Sequence, residues 1–281
     1  MRGFAIALLV IITFIWGSTF IVVKNAIAHI PPFVFVSFRF IIAAILLIPF
    51  MIRRGNKITI SEVMKSIITG SALFGGYAFQ TLGLLYTTAS KSAFITSLSV
   101  VLVPFVSYLI FRRKPGAREI AALGMAVIGL YQLILGPRFK FEGINLGDAF
   151  TFFCALSFAL HISLTGHFTK SVNIESFTLN QFLYVGIISF IFSLIFGEKI
   201  TGLSGNPLFA LIFIGVFATA FAFVGQTWAQ RHIKDTQAAL IFSLEPVFAV
   251  LFAILFGGEI LTTNQIIGGS LIIGGILISE W

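Results

Sequence analysis

The stretch that decides the fold covers residues 236–277 and reads TQAALIFSLEPVFAVLFAILFGGEILTTNQIIGGSLIIGGIL. Two apolar runs, 238–256 and 266–277, flank a short polar connection that carries Glu259 and Asn264. A helix needs about 20 mostly apolar residues to cross a hydrocarbon core of about 30 Å, and the first run meets that length. The stretch therefore predicts membrane-spanning helices rather than the core of a water-soluble domain.

The first of these runs carries an acid beside a helix breaker, Glu245-Pro246. Glu245 lies about nine residues, or about 14 Å, into its helix, which places it near the middle of the membrane. A carboxylate at that depth is costly and is a candidate functional group. It either takes up a proton or meets a substrate ammonium, or it has a structural role at the carbonyls that Pro246 leaves without a donor.

The composition of the whole chain agrees with a polytopic membrane protein. Of 281 residues, 58% are hydrophobic and 10% are charged, whereas soluble domains have about 25% charged residues. The net charge of +8 is not gathered into one patch, so we expect the lipid bilayer and not nucleic acid as a partner. The single cysteine, Cys154, excludes an internal disulfide and a cysteine-built metal site.

The apolar segments predict an all-α integral membrane protein with ten transmembrane helices. Short connections rich in Gly, Pro, Lys and Arg separate the segments, and none is long enough for a soluble domain. The segments cover residues 4–23, 33–52, 66–86, 91–111, 118–135, 146–168, 176–196, 208–230, 237–257 and 263–280.

The distribution of basic residues predicts the orientation. With the N-terminus inside, twelve of the 18 Lys and Arg residues lie on inner segments and five on outer ones, while Arg39 lies within a helix. Cytoplasmic loops carry the excess of Lys and Arg. We therefore expect a multi-pass protein of the cytoplasmic (plasma) membrane with both termini in the cytoplasm.

The chain also repeats itself. Gln80-Thr81 recurs as Gln226-Thr227 at an offset of 146 residues, and Pro104 recurs as Pro246 at an offset of 142. Residues 1–140 and 141–281 would each hold five helices. Because five is odd, the second copy must enter the membrane in the opposite sense. Inverted repeats of this kind place a site near the midplane and permit alternating access.

The chain resembles the EamA-type transporters of the drug/metabolite transporter superfamily over essentially its whole length. The matching segments are WGSTFIVVK (16–24), Arg39-Phe40, SAFITSLSVVLVP (92–104), AQR (229–231) and AALIFSLEPVFAVLFAILFGGE (238–259). The resemblance implies ten helices in two inverted five-helix repeats, with a central cavity open to one side. It also implies carriage of small organic metabolites such as amino acids or related compounds, with export expected.

Five further residues are candidates for binding the substrate, beside Glu245. Gln80 and Gln226 occupy corresponding places in the two copies, where they would serve a cavity for amphipathic or zwitterionic solutes or join helices by hydrogen bonds. Tyr77 stands three residues before Gln80, and Trp16 lies too deep for an interfacial belt. His161, in the middle of the sixth segment, either contacts substrate or bonds to a neighbouring helix.

Three residues are assigned a hinge or structural role. Arg39, about 10 Å from the end of its helix, is expected to bond helix-end carbonyls or to extend outward, although it could receive a substrate carboxylate or phosphate. Pro104 and Pro246 lie within membrane segments, where a missing backbone bond permits bending, so they are hinge candidates.

Other functions remain open at this point. Efflux of lipophilic cations would use Glu245 as the binding carboxylate, and an intramembrane enzyme would need more converging groups than His161 and Glu245. No G-x-x-x-x-G-K-[ST] motif occurs, so ATP drive by this chain is not expected. No cofactor and no metal site is predicted, and the oligomeric state is left as monomer or homodimer.

Overall fold

The computed structural model describes residues 1–54, 59–135, 145–257 and 262–280, and every regular element in these ranges is a helix. The connection that carries Glu259 and the expected boundary between residues 140 and 141 lie outside the described residues. The all-α prediction is confirmed for the described part of the chain.

Six α-helices form the first half. Helix α3 begins with a capping box, in which the Thr59 hydroxyl accepts from Glu62 N and the Glu62 carboxylate accepts from Thr59 N. The last helix, α6, continues as a π-helical turn, Tyr131–Leu135. The bounds are α1 Arg2–Ile27, α2 Pro32–Arg54, α3 Ile60–Tyr86, α4 Ala89–Ser97, α5 Ser99–Phe111 and α6 Ala117–Leu130.

The second half has the same succession of long helices. A capping box at Asn145 and Asp148 opens α7. Between α9 and α10 the continuous helical stretch Gly205–Gln230 contains a π segment, Ile214–Phe221. The bounds are α7 Leu146–Phe168, α8 Ile174–Ile195, α9 Gly205–Phe213, α10 Ala222–Gln230, α11 Asp235–Phe242, α12 Leu244–Gly257 and α13 Thr263–Glu280.

Seven helical stretches of the described chain are long and apolar enough to cross a membrane. A further apolar stretch, Thr263–Ser279, is shorter. The seven are Arg2–Ile27, Pro32–Arg53, Lys91–Phe111, Leu146–Ser171, Ile174–Ile195, Gly205–Gln230 and Asp235–Phe252. The chain is therefore a multi-pass membrane protein.

Burial is inverted relative to a soluble protein. Large apolar side chains cover the outside of the bundle, among them Ile45, Leu109 and Phe209, which is 73% exposed. Hydroxyl-bearing residues such as Ser37 and Thr219 are buried inside, where they bond to the backbone or to other side chains. This distribution fits a hydrocarbon environment, in which polar groups have to find partners within the protein.

The two halves pack through each other. Helix α1 runs along α10 and α12 of the second half, while α7 runs along α3 and α5 of the first. Helix α2 packs on the π segment, while α8 packs on α3. Two pairs join corresponding helices of the halves, α2 with α8 and α6 with α13, while α5 also packs on α11. Exchange of the halves turns the pairing of α1 with α12 into that of α7 with α5, and it leaves the α2–α8 and α6–α13 pairs unchanged.

Corresponding long helices are each interrupted at one residue. Leu98 separates α4 from α5, and Ser243 separates α11 from α12. At both positions the backbone N–H bonds to the carbonyl three residues earlier, a tighter turn than the α-helix. Pro246 falls in the first turn of α12, where the missing N–H is tolerated, while Pro104 lies inside α5, well after the interruption. Their role as hinges stays a prediction.

Glycines bring α6 and α13 into close contact. A Cβ on Gly129 would lie 2.7 Å from Gly268 O, and one on Gly268 would lie 2.5 Å from Gly129 O and Leu133 N. Any larger residue at either position would push the helices apart. The α6–α13 pair thus forms a tight seam beside the central bundle.

Candidate functional site

A central cavity of ≈ 770 Å³, including the space at its mouth, lies between helices of both halves. All six of the substrate-binding candidates line it: Trp16, Tyr77, Gln80, His161, Gln226 and Glu245. Arg39 lines it as well, whereas Pro104 and Pro246 do not. Residues that stand up to 229 positions apart in sequence are thus brought to one place. Their role in binding is a prediction that their position does not test.

Glu245 contributes a carboxylate to the cavity from the first turn of α12. Within the described part of the chain, it has neither a hydrogen bond nor an ion pair. The sequence offers Leu102 or Ser99 as its counterpart in the first half, and of these two Ser99 lines the same cavity. Neither counterpart is an acid, so this position is asymmetric in charge between the two halves.

Arg39 is the cationic group of the cavity and is 3% exposed. Its Nε and Nη2 donate to Thr219 Oγ1 at 3.1 and 3.0 Å. Its guanidinium carbon lies 4.2 Å from the centre of the Tyr77 ring, in cation–π geometry. The expected bonds to helix-end carbonyls and the outward extension are not what the structure has, because Thr219 and Tyr77 hold the guanidinium inside the bundle.

The π segment Ile214–Phe221 supplies the partner of Arg39. Thr219 Oγ1 donates to Ile214 O, five residues earlier, at 2.9 Å, and accepts from the guanidinium. Gly215 allows α2 to come close, since a Cβ there would lie 3.2 Å from Arg39 O. The π-helical turn thus places a hydroxyl beside a buried cation, and π turns are frequent at functional sites.

Aromatic side chains surround the polar groups. The Trp16 ring lies 5.5 Å from Phe223 and 5.4 Å from Phe242, and its Nε1–H donates to Ala218 O at 2.9 Å. Tyr77 packs edge-on against Phe158 and Phe40. Trp16 also packs against all three apolar clusters of the interior. The cavity wall therefore combines aromatic rings with polar and charged side chains.

His161 is held by the neighbouring helix α8. Its Nε2 lies 3.1 Å from Gln181 Oε1, while Gln181 Nε2 donates to Phe177 O at 3.2 Å. Because the amide of Gln181 is oriented by that carbonyl, its oxygen faces the imidazole, and the histidine Nε2 carries the proton. Of the two interpretations of His161, the bond to a neighbouring helix is present, and the ring also forms part of the cavity wall.

The two glutamines of the cavity differ in their surroundings. Gln226 is 1% exposed, and its Nε2 donates to Gln230 Oε1 at 2.9 Å. Its Oε1 is buried without a hydrogen-bond partner among the described residues. Gln80 is less buried, and no described residue bonds to its amide. The amide of Gln226 is therefore held by a hydrogen bond, whereas the amide of Gln80, at the corresponding sequence position, is not held by any described residue.

A polar network, which we call the basic-end network, lies between this cavity and the end of the bundle where α1 begins. Ser107 Oγ donates to the buried Asp235 carboxylate, and the hydroxyls of Ser107 and Ser163 lie 3.0 Å apart. Arg113 pairs with Asp235 at 3.6 Å. Basic residues surround this end: Arg2, Arg113, Lys114, Arg118, Lys170, Arg231 and Lys234.

Sequence reasoning missed several of these groups. Thr219 is a single hydroxyl in an apolar segment, and nothing in its neighbours signals an arginine partner. Asp235 stands at the start of α11, whereas the predicted segments 208–230 and 237–257 leave it in the connection between them. Ser107 is one of many serines in apolar helices. The one available signal was that Asp235 is an acid directly before the stretch 236–277.

Comparison with known proteins gives the family. The EamA-like transporter family model matches residues 3–135 and again residues 145–281. An uncharacterized transporter of Archaeoglobus fulgidus is 36% identical over 274 residues, which cover 96% of this chain and 83% of that protein. The uncharacterized transporter YoaV of Bacillus subtilis is 27% identical over 96% of this chain and 94% of its own length.

More distant proteins agree with this assignment. The uncharacterized inner membrane transporter YedA of Escherichia coli is 25% identical over 88% of this chain and 81% of its own. A solved crystal structure superposes with a TM-score of 0.84 over 100% of this chain and 99% of that one, at 18% identity, which shows a shared fold. The chain is a membrane transporter and belongs to the EamA-like transporter family.

Proposed function

We propose that the protein is a secondary transporter that exports small organic metabolites, namely amino acids or related compounds, across the cytoplasmic membrane by alternating access. It would have ten membrane helices in two inverted five-helix repeats, 1–140 and 141–281, and both termini in the cytoplasm. The pairing of α1 with α12 and of α7 with α5 supports the repeat, because exchange of the halves turns one pair into the other.

One observation carries the proposed substrate class. The cavity holds the carboxylate of Glu245 and the guanidinium of Arg39, and these two groups form no ion pair with each other. A small zwitterion can satisfy both, with its ammonium at Glu245 and its carboxylate at Arg39. The aromatic wall then receives an apolar side chain.

Efflux of lipophilic cations is the second candidate. The Glu245 carboxylate, which has no partner among the described residues, shares the cavity with aromatic rings, and this favours the second candidate because such a site attracts a delocalised cation. The positive charge of Arg39 in the same cavity opposes it. The two candidates differ in whether the ligand needs an anionic group.

Counterflow in proteoliposomes tests the proposal. Vesicles are loaded in turn with amino acids, sugar phosphates and tetraphenylphosphonium, and uptake of the labelled solute is followed. We expect counterflow of amino acids, with at least about a tenfold loss in Glu245→Gln, because the bond to the ammonium loses its charge. Glu175→Gln, which changes an acid that does not line the cavity, is the matched control.

Two results would decide against the proposal. Exchange of tetraphenylphosphonium alone, abolished by Glu245→Gln, would establish the second candidate. If no solute exchanges although the vesicles contain folded protein, the proposed secondary transport of these solute classes is wrong.

A further inference from the structure

Two consecutive hydrogen bonds connect a backbone carbonyl to the side-chain amide of Gln226. Ile162 O, on α7, accepts from Gln230 Nε2 at 2.9 Å. Gln230 Oε1 in turn accepts from Gln226 Nε2 at 2.9 Å. Both glutamines are buried, at 0% and 1% exposure.

This chain fixes the orientation of both amides. A carbonyl oxygen can only accept, so the group of Gln230 that faces Ile162 O must be its NH2 group. The oxygen of Gln230 therefore faces Gln226, and it requires the NH2 group of Gln226 there. A flip of either amide would set two oxygens against each other. Gln226 is thereby left with its oxygen as the free acceptor.

That acceptor has no partner among the described residues, and its residue lines the cavity. A buried carbonyl without a donor is unfavourable, so a partner is expected in some state of the molecule. The carboxylate of Glu245, which lines the same cavity, is also an acceptor without a partner among the described residues. The acceptors of the cavity thus include a charged carboxylate and a neutral amide oxygen whose orientation is fixed.

We infer that Gln226 selects transported ligands by accepting a hydrogen bond from an N–H group of the ligand's cationic end. This rests on the proposed transport function and specifies its ligand. Glu245 attracts any cation, whereas the oxygen of Gln226 distinguishes an ammonium that carries hydrogens from a quaternary ammonium or phosphonium that has none. Primary amines are accepted, and fully alkylated cations of the same charge are rejected.

The test compares two ligands that differ in N–H groups and not in charge. Counterflow is measured for the standard amino acids, and the best of them is compared with its N,N,N-trimethyl derivative. In wild type we expect the trimethyl derivative to be at least about tenfold weaker, as for sites that lose a hydrogen bond to a buried group. In Gln226→Met, which keeps the bulk and removes the acceptor, the ratio should fall to about twofold or less.

Gln265→Met is the matched control, because Gln265 is the same residue type and does not line the cavity. It should retain the wild-type ratio. If added bulk alone excluded the trimethyl group, the ratio would persist in Gln226→Met and the inference would be wrong.

The wild-type protein gives an answer even if Gln226→Met does not fold. Equal counterflow of the two ligands, or strong exchange of tetraphenylphosphonium, would overturn the inference while transport itself stands. Failure of every ligand to exchange would overturn the proposed function, and this inference with it. A tenfold preference for the primary amine in wild type, retained in Gln265→Met and lost in Gln226→Met, would support the inference.

Discussion

The two ends of the helical bundle are held together in different ways. At the end where α1 begins, the basic-end network reaches across the middle of the bundle, since Asp235 of α11 contacts Ser107 of α5 and Arg113 just beyond it. At the opposite end, polar contacts join neighbours along the rim. Lys91 pairs there with Asp148 at 2.6 Å, which links α4 to the start of α7.

The position of the cavity relates the difference between the two ends to the path of a solute. Its lining includes Val23 and Leu84, near the ends of α1 and α3, so the cavity extends toward the rim-linked end. The basic-end network lies on the other side and closes that path. In the proposed alternating-access cycle, the contacts of Asp235 have to break before a solute can enter from the basic end. In that proposed cycle, the described conformation would be the one closed toward the basic end.

Of the predicted changes, breaking the basic-end network should have the largest effect, and this effect is on stability. Asp235→Ala removes a buried carboxylate and leaves Ser107 without its acceptor, so we expect a loss of about 2–3 kcal/mol in the free energy of unfolding. The value is below that of a fully buried pair, because the Arg113 side chain is 36% exposed. Thermal unfolding in detergent measures this loss.

The same variant should also open the basic end. Ser163→Cys, introduced beside Ser107 in a Cys154→Ser background, should react faster with a charged thiol reagent when Asp235→Ala is present. Asp148→Ala, at the rim-linked end, is the control and should leave that rate unchanged. If both alanine variants raise the rate equally, the two ends are not held in different ways.

The second effect concerns Arg39, which lies between the two ends. Arg39→Lys keeps the charge but loses the two donors to Thr219, so we expect amino-acid counterflow to fall about tenfold, or about 1.4 kcal/mol. Thr219→Val keeps the guanidinium and removes its acceptor, so its loss should be smaller. A wild-type rate in Arg39→Lys would mean that the charge alone suffices.

Much of this architecture was predictable because polar residues are rare in the chain. In an apolar helix each Gln, His, Glu or Arg stands out, and its depth follows from counting residues at 1.5 Å each. Trp16 and Glu245 could therefore be assigned to about the same depth, and they line one cavity. The helices themselves follow from the length of each apolar run.

What could not be predicted depends on contacts between helices. The interruption at Leu98 has neither Gly nor Pro beside it, so the pattern pointed to Pro104 instead. The π segment, and with it the pairing of Arg39 with Thr219, lies where α2 approaches that helix closely at Gly215. The orientation of Gln226 depends on Ile162 O, 64 residues earlier in the chain. Such partners are set by packing and leave no pattern in the local sequence.

The smallest predicted effect belongs to Trp16, which takes part in neither end. Trp16→Phe keeps ring contacts with Phe223 and Phe242 and loses the bond from Nε1 to Ala218 O, so we expect a loss of about 1 kcal/mol in stability. Trp228→Phe is the matched control, because the ring of Trp228 contacts Phe4 and His232 and lies outside the cavity.

Thermal unfolding of the two variants separates a cavity tryptophan from a peripheral one. Trp16→Phe should be the less stable of the two, and the thiol reactivity of Ser163→Cys should be unchanged in both. Because Trp16 anchors α1 to the π segment and not to Asp235, a rise in that reactivity in Trp16→Phe would show that the cavity wall and the basic-end network move together. The cavity wall and the basic-end network would then have to be treated as one coupled unit.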